Sequence, residues 1–114
     1  MGLEASAAAQ LRKGVLEYCV LALLKQEERY GFDLARTLGS IDGLVTSEGT
    51  IYPMLSRLHR DGLISATWRE SESGPPRKYF AITRKGAELL RDFQSEWQLF
   101  SEAVSTLITK GDAS

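Results

Sequence analysis

Apolar positions along this chain fall into three helical runs, a short alternating stretch, and one more long helical run. From Gln10 to about Gln26 two stripes wind around one helix. Leu11, Val15, Tyr18, Cys19 and Ala22 form the first, and Leu16, Val20, Leu23 and Leu24 the second. Two apolar faces call for two packing partners, and in so short a chain the second partner is expected to be another subunit. After the polar break Glu27-Glu28-Arg29, residues Tyr30–Leu38 read as a short helix with Phe32, Leu34, Ala35 and Leu38 facing inward. Gly39-Ser40 and Asp42-Gly43 signal turns. Thr46 or Ser47 then stands where a hydroxyl accepts from the exposed first-turn amides of a third helix. Ile51, Leu55 and Leu58 give that helix its buried face as far as Asp61, and Gly62 its stop. Pro53 lies one turn inside if the helix starts at Ser47, and in the tolerated first turn if it starts at Thr50. The pattern leaves both starts open.

Beyond Gly62 the period changes to two. Ile64, Ala66 and Trp68 alternate with Ser65, Thr67 and Arg69, which predicts a strand. Ser71–Pro76 is expected to be a polar turn, and Arg77–Ile82 a second strand completing a hairpin. Thr83 is placed to cap a last helix, in which Leu90, Phe93, Trp97, Phe100, Val104 and Leu107 recur at alternating spacings of three and four. That is a heptad seam, and it wants a partner helix. The expected fold is mainly α with a two-stranded β-wing: a winged helix-turn-helix over residues 10–82 and a C-terminal dimerisation helix over 83–110. Residues 1–9 read as a flexible lead-in and 111–114 as a tail. The expected dimer interface is Leu16, Val20, Leu90, Phe93, Trp97, Phe100, Val104 and Leu107.

Composition narrows the function. The 114 residues suit one domain. The longest mostly apolar stretch, Val15–Leu24, contains Glu17 and is far shorter than the roughly 20 residues a membrane span needs. No basic segment leads into an apolar one at the N-terminus, so no secretory signal is read there. One cysteine and one histidine assemble neither a disulfide nor a metal cluster. The expectation is a cytoplasmic protein without metal or cofactor, and not an enzyme. The net charge of −1 is unevenly spread. Residues 46–85 hold seven basic and four acidic side chains, whereas residues 86–114 hold two and five. Phosphate contact needs such a local basic surface, not a basic protein.

The major groove of DNA admits one α-helix, entered by the residues at its N-terminal end. The third helix begins there with Ser47, Thr50 and Tyr52 as short polar or phenolic contacts, with Arg57 further along. Glu48 opposes phosphate at its own position and favours the helix dipole instead. His59 is expected at the helix surface or against the DNA backbone. In the wing, Pro76, Arg77 and Lys78 form a stiffened cationic edge suited to the DNA backbone or minor groove. The expected partners are duplex DNA with a pseudo-palindromic operator and a second copy of the chain. The alternative is a winged-helix adaptor that binds protein without reading DNA.

Gly49-Thr50-Ile51-Tyr52-Pro53-Met54-Leu55-Ser56-Arg57-Leu58, Asp61-Gly62-Leu63-Ile64, Gly74-Pro75-Pro76-Arg77-Lys78-Tyr79-Phe80 and Thr83-Arg84-Lys85-Gly86 together resemble the PadR family of transcriptional regulators, as does Tyr30-Gly31-Phe32-Asp33-Leu34. The match spans about residues 10–108, and the single last helix is similar to the smaller subgroup. The resemblance implies a homodimeric winged helix that represses a nearby promoter. Ser47, Thr50, Tyr52 and Arg57 would then face DNA, Pro76, Arg77 and Lys78 would be wing contacts, and Tyr79 would anchor the wing. It further implies an effector pocket for planar aromatic molecules at Trp97, with Phe93 and Phe100 beside it.

Overall fold

The computed structural model describes the backbone of residues 2–44 and 46–113, and the side chains of Leu11 and of residues 14–44 and 46–110. The elements in chain order are α1 (Gly2–Gln26), β1 (Arg29–Tyr30), α2 (Gly31–Gly39), α3 (Glu48–Arg60), β2 (Ile64–Ser71), β3 (Gly74–Ile82) and α4 (Arg84–Ala113). This is the expected winged helix-turn-helix with one long helix behind it. Helix α1 begins at Gly2, not near Gln10, so from Gly2 onward the expected lead-in belongs to the helix. Alanines at 5 and 7–9 favour a helix strongly but carry no face by which periodicity could mark its start. Likewise α4 runs on to Ala113, past the expected end at residue 110.

One core joins all the helices. Leu16, Val20, Leu21 and Leu24 of α1 meet Leu34, Ala35 and Leu38 of α2 and Ile51, Met54, Leu55 and Leu58 of α3. Leu63, Ile64, Phe80 and Leu90 close it. Burying each such large side chain stabilises the fold by about 1.5–3 kcal/mol. Phe32 departs from expectation: it is 46% exposed. It precedes Leu34 by two residues, about 200° round the helix, so the face that buries Leu34 and Leu38 turns Phe32 outward. Its ring instead lies beside Tyr30, centroids 6.2 Å apart.

The end of α3 is closed by backbone bonds. Gly62 takes φ +79°, the left-handed region that suits glycine. Its N–H donates to His59 O at 3.1 Å, and Leu63 N–H donates to Leu58 O at 3.0 Å. That paired pattern stops the helix and packs Leu63 against Leu58.

The sheet has three strands, not two, in the order β1-β3-β2 and all antiparallel. Arg29 pairs with Phe80 and Tyr30 with Tyr79. Two residues are too few to show a period, so β1 read as a polar break. The wing turn is also shorter than expected. Gly74, Pro75 and Pro76 belong to β3, and only Glu72 and Ser73 form the turn. Between the pairs Arg69–Arg77 and Ser71–Gly74, the single residue Glu70 faces both Pro75 and Pro76. Prolines donate no ladder bond, and a bulge is where a strand tolerates them. Among the described residues, no helix is long and apolar enough to cross a membrane.

Candidate nucleic-acid interface

Ser47 is the residue that starts α3. Its backbone is extended, and its carbonyl accepts from Thr50 N–H and Ile51 N–H, each at 3.0 Å. The expected hydroxyl cap is not made, and Ser47 is exposed. With Glu48 as the first helical residue, Pro53 is the sixth and lies one turn inside. Its missing N–H leaves Gly49 O without the usual donor four residues on. Because Ile51, Met54, Leu55 and Leu58 turn inward, Thr50, Tyr52, Ser56, His59 and Arg60 remain exposed. Tyr52 rests its ring on Gly31, where an added Cβ would stand 3.0 Å from the ring edge. Burial first, then the neighbouring Glu48 and Tyr30, push the Tyr52 phenol up, so at neutral pH it keeps its proton and can donate.

Arg57 is committed to the scaffold. Its Nη1 donates to Glu17 on α1 at 3.1 Å, so the guanidinium is tied back against the first helix while Ser47, Thr50 and Tyr52 stay open. Sequence spacing put Arg57 off the buried face but gave no sign of a partner forty residues away.

The wing is braced by stacked cations. The Arg77 guanidinium lies 4.8 Å from the centre of the Tyr30 ring, and that of Arg69 lies 4.7 Å from the centre of Tyr79. The two tyrosines meet at 5.6 Å, and Arg69 also pairs with Glu28. Lys78 sits on the other side of β3, its ammonium 5.9 Å from Trp68 and 5.7 Å from Phe80. Pro76 is exposed at the bulge. Between α3 and the wing opens a cleft of about 450 Å³ whose walls include Tyr52, Ser56, His59, Trp68, Arg77 and Lys78. Trp68, 65% exposed, and Ser56 were not singled out from sequence. Trp68 continues the alternation of Ile64 and Ala66, which predicts burial; only the overhang of the wing past the core leaves it bare.

On the opposite side, α1 and α4 carry an aromatic ladder. Tyr18 and Phe93 stack at 3.8 Å and 5°, Phe93 and Trp97 at 5.7 Å and 16°, and Trp97 and Phe100 meet at 6.5 Å. A cavity of about 570 Å³ opens beside them, lined by Tyr18, Cys19, Ala22, Leu90, Phe93 and Trp97 among others. Burial pushes the Cys19 thiol up, and it pushes the Tyr18 phenol up with help from Glu17 and Glu96. Three residues expected at a dimer interface are spent inside the protomer: Leu16 is 3% exposed, Val20 is not exposed at all, and Leu90 is buried with them. Leu16 and Val20 lie on the α1 stripe that faces the core shared with α2 and α3, and Leu90 of α4 closes the same core, so the three have little surface left for a second chain. Phe93, Trp97, Phe100, Val104 and Leu107 keep theirs, and Leu107 is 72% exposed.

Residues 20–92 match the family model described as the transcriptional regulator PadR-like family. Among solved structures, the chain is similar to a PadR-like transcriptional regulator from Bacillus cereus. The two are 43% identical with a TM-score of 0.78, over 87% of this chain and 96% of that one. It is also similar to a PadR family transcriptional regulator from Eggerthella lenta, 32% identical with a TM-score of 0.78, over 94% and 93% of the two chains. A Streptococcus transcriptional regulator is 41% identical, with a TM-score of 0.77 over 86% and 96%. By its own family model and by these relatives, the chain belongs to the PadR-like family of transcriptional regulators.

Proposed function

We propose that this regulator is a homodimeric repressor that reads a pseudo-palindromic operator with α3 and the wing, and that a planar aromatic effector releases it. The observation that carries the DNA-facing part is the cleft between α3 and the wing. Its walls combine the open polar face of α3 with Arg77 and Lys78, each held by an aromatic ring. A guanidinium stacked on tyrosine is already oriented, so less freedom is lost when it meets a phosphate. Ser47, Thr50 and Tyr52 are the groove contacts, while Pro76, Arg77 and Lys78 meet the backbone. Arg57 supports them by holding α3 against α1.

The uncovered seam of α4 supports the dimer. A second copy laid along Phe93, Trp97, Phe100, Val104 and Leu107 takes these side chains out of water, which a lone protomer leaves undone. The stacked Tyr18, Phe93 and Trp97 rings beside their cavity support the effector reading, because flat rings at stacking distance accept another flat ring.

The test is a gel shift on duplex DNA from the promoter region of the chain's own gene. Retarded DNA is expected, lost in Arg77→Ala. Undiminished binding by both Arg77→Ala and Lys78→Ala would remove the site assignment. For the effector, planar dyes that release DNA should quench Trp97. Retained release by Trp97→Phe with no spectral change would remove the pocket.

A further inference from the structure

The turn that opens α4 is bonded to the turn that ends α3. Thr83 N–H donates to Leu63 O at 3.1 Å, the Thr83 hydroxyl donates to Gly62 O at 2.7 Å, and Lys85 Nζ donates to Asp61 O at 3.0 Å. Three consecutive carbonyls after the recognition helix are thus taken up by the start of the last helix. Gly86 N–H donates back to Thr83 Oγ1 at 3.1 Å, so the same hydroxyl also caps α4. Gly86 is buried, and the fit there is close. A Cβ at this position would stand 2.1 Å from Leu63 O and 3.0 Å from Ile82 Cγ1. Only glycine lets the first turn of α4 lie flat on the backbone that leaves α3. Leu63 is in turn locked to α3 by its bond to Leu58 O.

We propose that Thr83 and Gly86 are positioning residues for DNA binding: they weld α3 to α4, so that the dimer formed along α4 sets the distance and tilt between the two recognition helices. This rests on the dimeric DNA-binding reading above. Two recognition helices of a two-fold dimer enter major grooves about 34 Å apart, one turn of duplex. Helix α4 has 30 residues and spans about 45 Å. Slack of a few degrees where α4 joins α3 therefore moves α3 against the far end of the seam, and the two-fold axis doubles the error between half-sites.

The experiment uses the full chain and duplexes that the wild type selects from a random-sequence pool. The same duplexes are then made with one or two base pairs inserted or removed at the centre. Gly86→Ala and Thr83→Val are expected to remain dimers by sedimentation. They should bind the parent spacing roughly tenfold more weakly, the scale of one mismatched base pair, and discriminate less between spacings. Thr83→Ser, which keeps the hydroxyl, should restore the wild-type preference. Variants that keep the wild-type ranking of spacings overturn the proposal, even if they melt earlier, because a purely structural role lowers all spacings alike. Should Gly86→Ala fail to fold, Thr83→Val decides by the same comparison. A wild type that selects no duplex brings down the DNA-binding reading itself, a separate result.

Discussion

Arg57 and Glu17 meet across forty residues of chain, and this one contact decides what Arg57 is for. A half-exposed guanidinium paired with a mostly buried carboxylate stabilises by about 1 kcal/mol at most. Arg57→Ala should therefore lower the melting temperature by about 4 °C in a domain of this size. Arg77→Ala, read by the same thermal scan and by gel shift, should move DNA affinity far more than melting. Cys19 and Tyr18 give a prediction of known sign. Burial holds both groups above their ordinary values of 9.0 and 10.0, so the folded state favours their neutral forms. That contribution is complete below the ordinary thiol value and is lost as the pH rises past it. Thermal scans should be flat through neutral pH and fall in the alkaline range. Native Cys19 should resist iodoacetamide at neutral pH and react once urea unfolds the chain, because the thiolate is the nucleophile. The sequence marked Cys19 as a small apolar residue, but its neighbours Phe93 and Trp97 come from the other end of the chain.

At the scale of elements, periodicity found what was long. Helices α2, α3 and α4 and strand β2 show their periods over six or more residues, and their order was legible. Strand β1 was not, since two residues show no period and the pairing of Tyr30 with Tyr79 spans half the chain. Periodicity also exposed two stripes on α1 without saying which one the protomer uses. The core took Leu16 and Val20, which left Val15, Tyr18 and Cys19 beside α4. The seam of α4 makes the next prediction. Phe100→Glu combined with Leu107→Glu should halve the mass seen by sedimentation while far-ultraviolet circular dichroism stays unchanged, because both side chains are exposed in the single protomer. A wild type that sediments as a monomer would refute the interface.

The whole molecule measures 61 × 33 × 21 Å, long in one direction as a protomer with a projecting helix should be. Its near-zero net charge hides a basic middle, and the fold brings Arg60, Arg77 and Lys78 to the α3 and wing side. If these three cations meet phosphate in each protomer of the proposed dimer, about six phosphates are neutralised. The logarithm of the binding constant should then fall with the logarithm of salt at a slope near −5. A slope near zero in a salt titration would exclude phosphate contact on that scale. By itself, the amino-acid order determined the helices, the hairpin, the stop at Gly62 and the exposed polar start of α3, because each depends on spacing within a few residues. Only the tertiary structure decided that Arg57 clamps α1, that Trp68 stands bare in the cleft, that β1 joins the wing, and that Gly86 lies against Leu63. Each of these is a contact between segments far apart in sequence, and local periodicity carries no information about which distant surfaces meet.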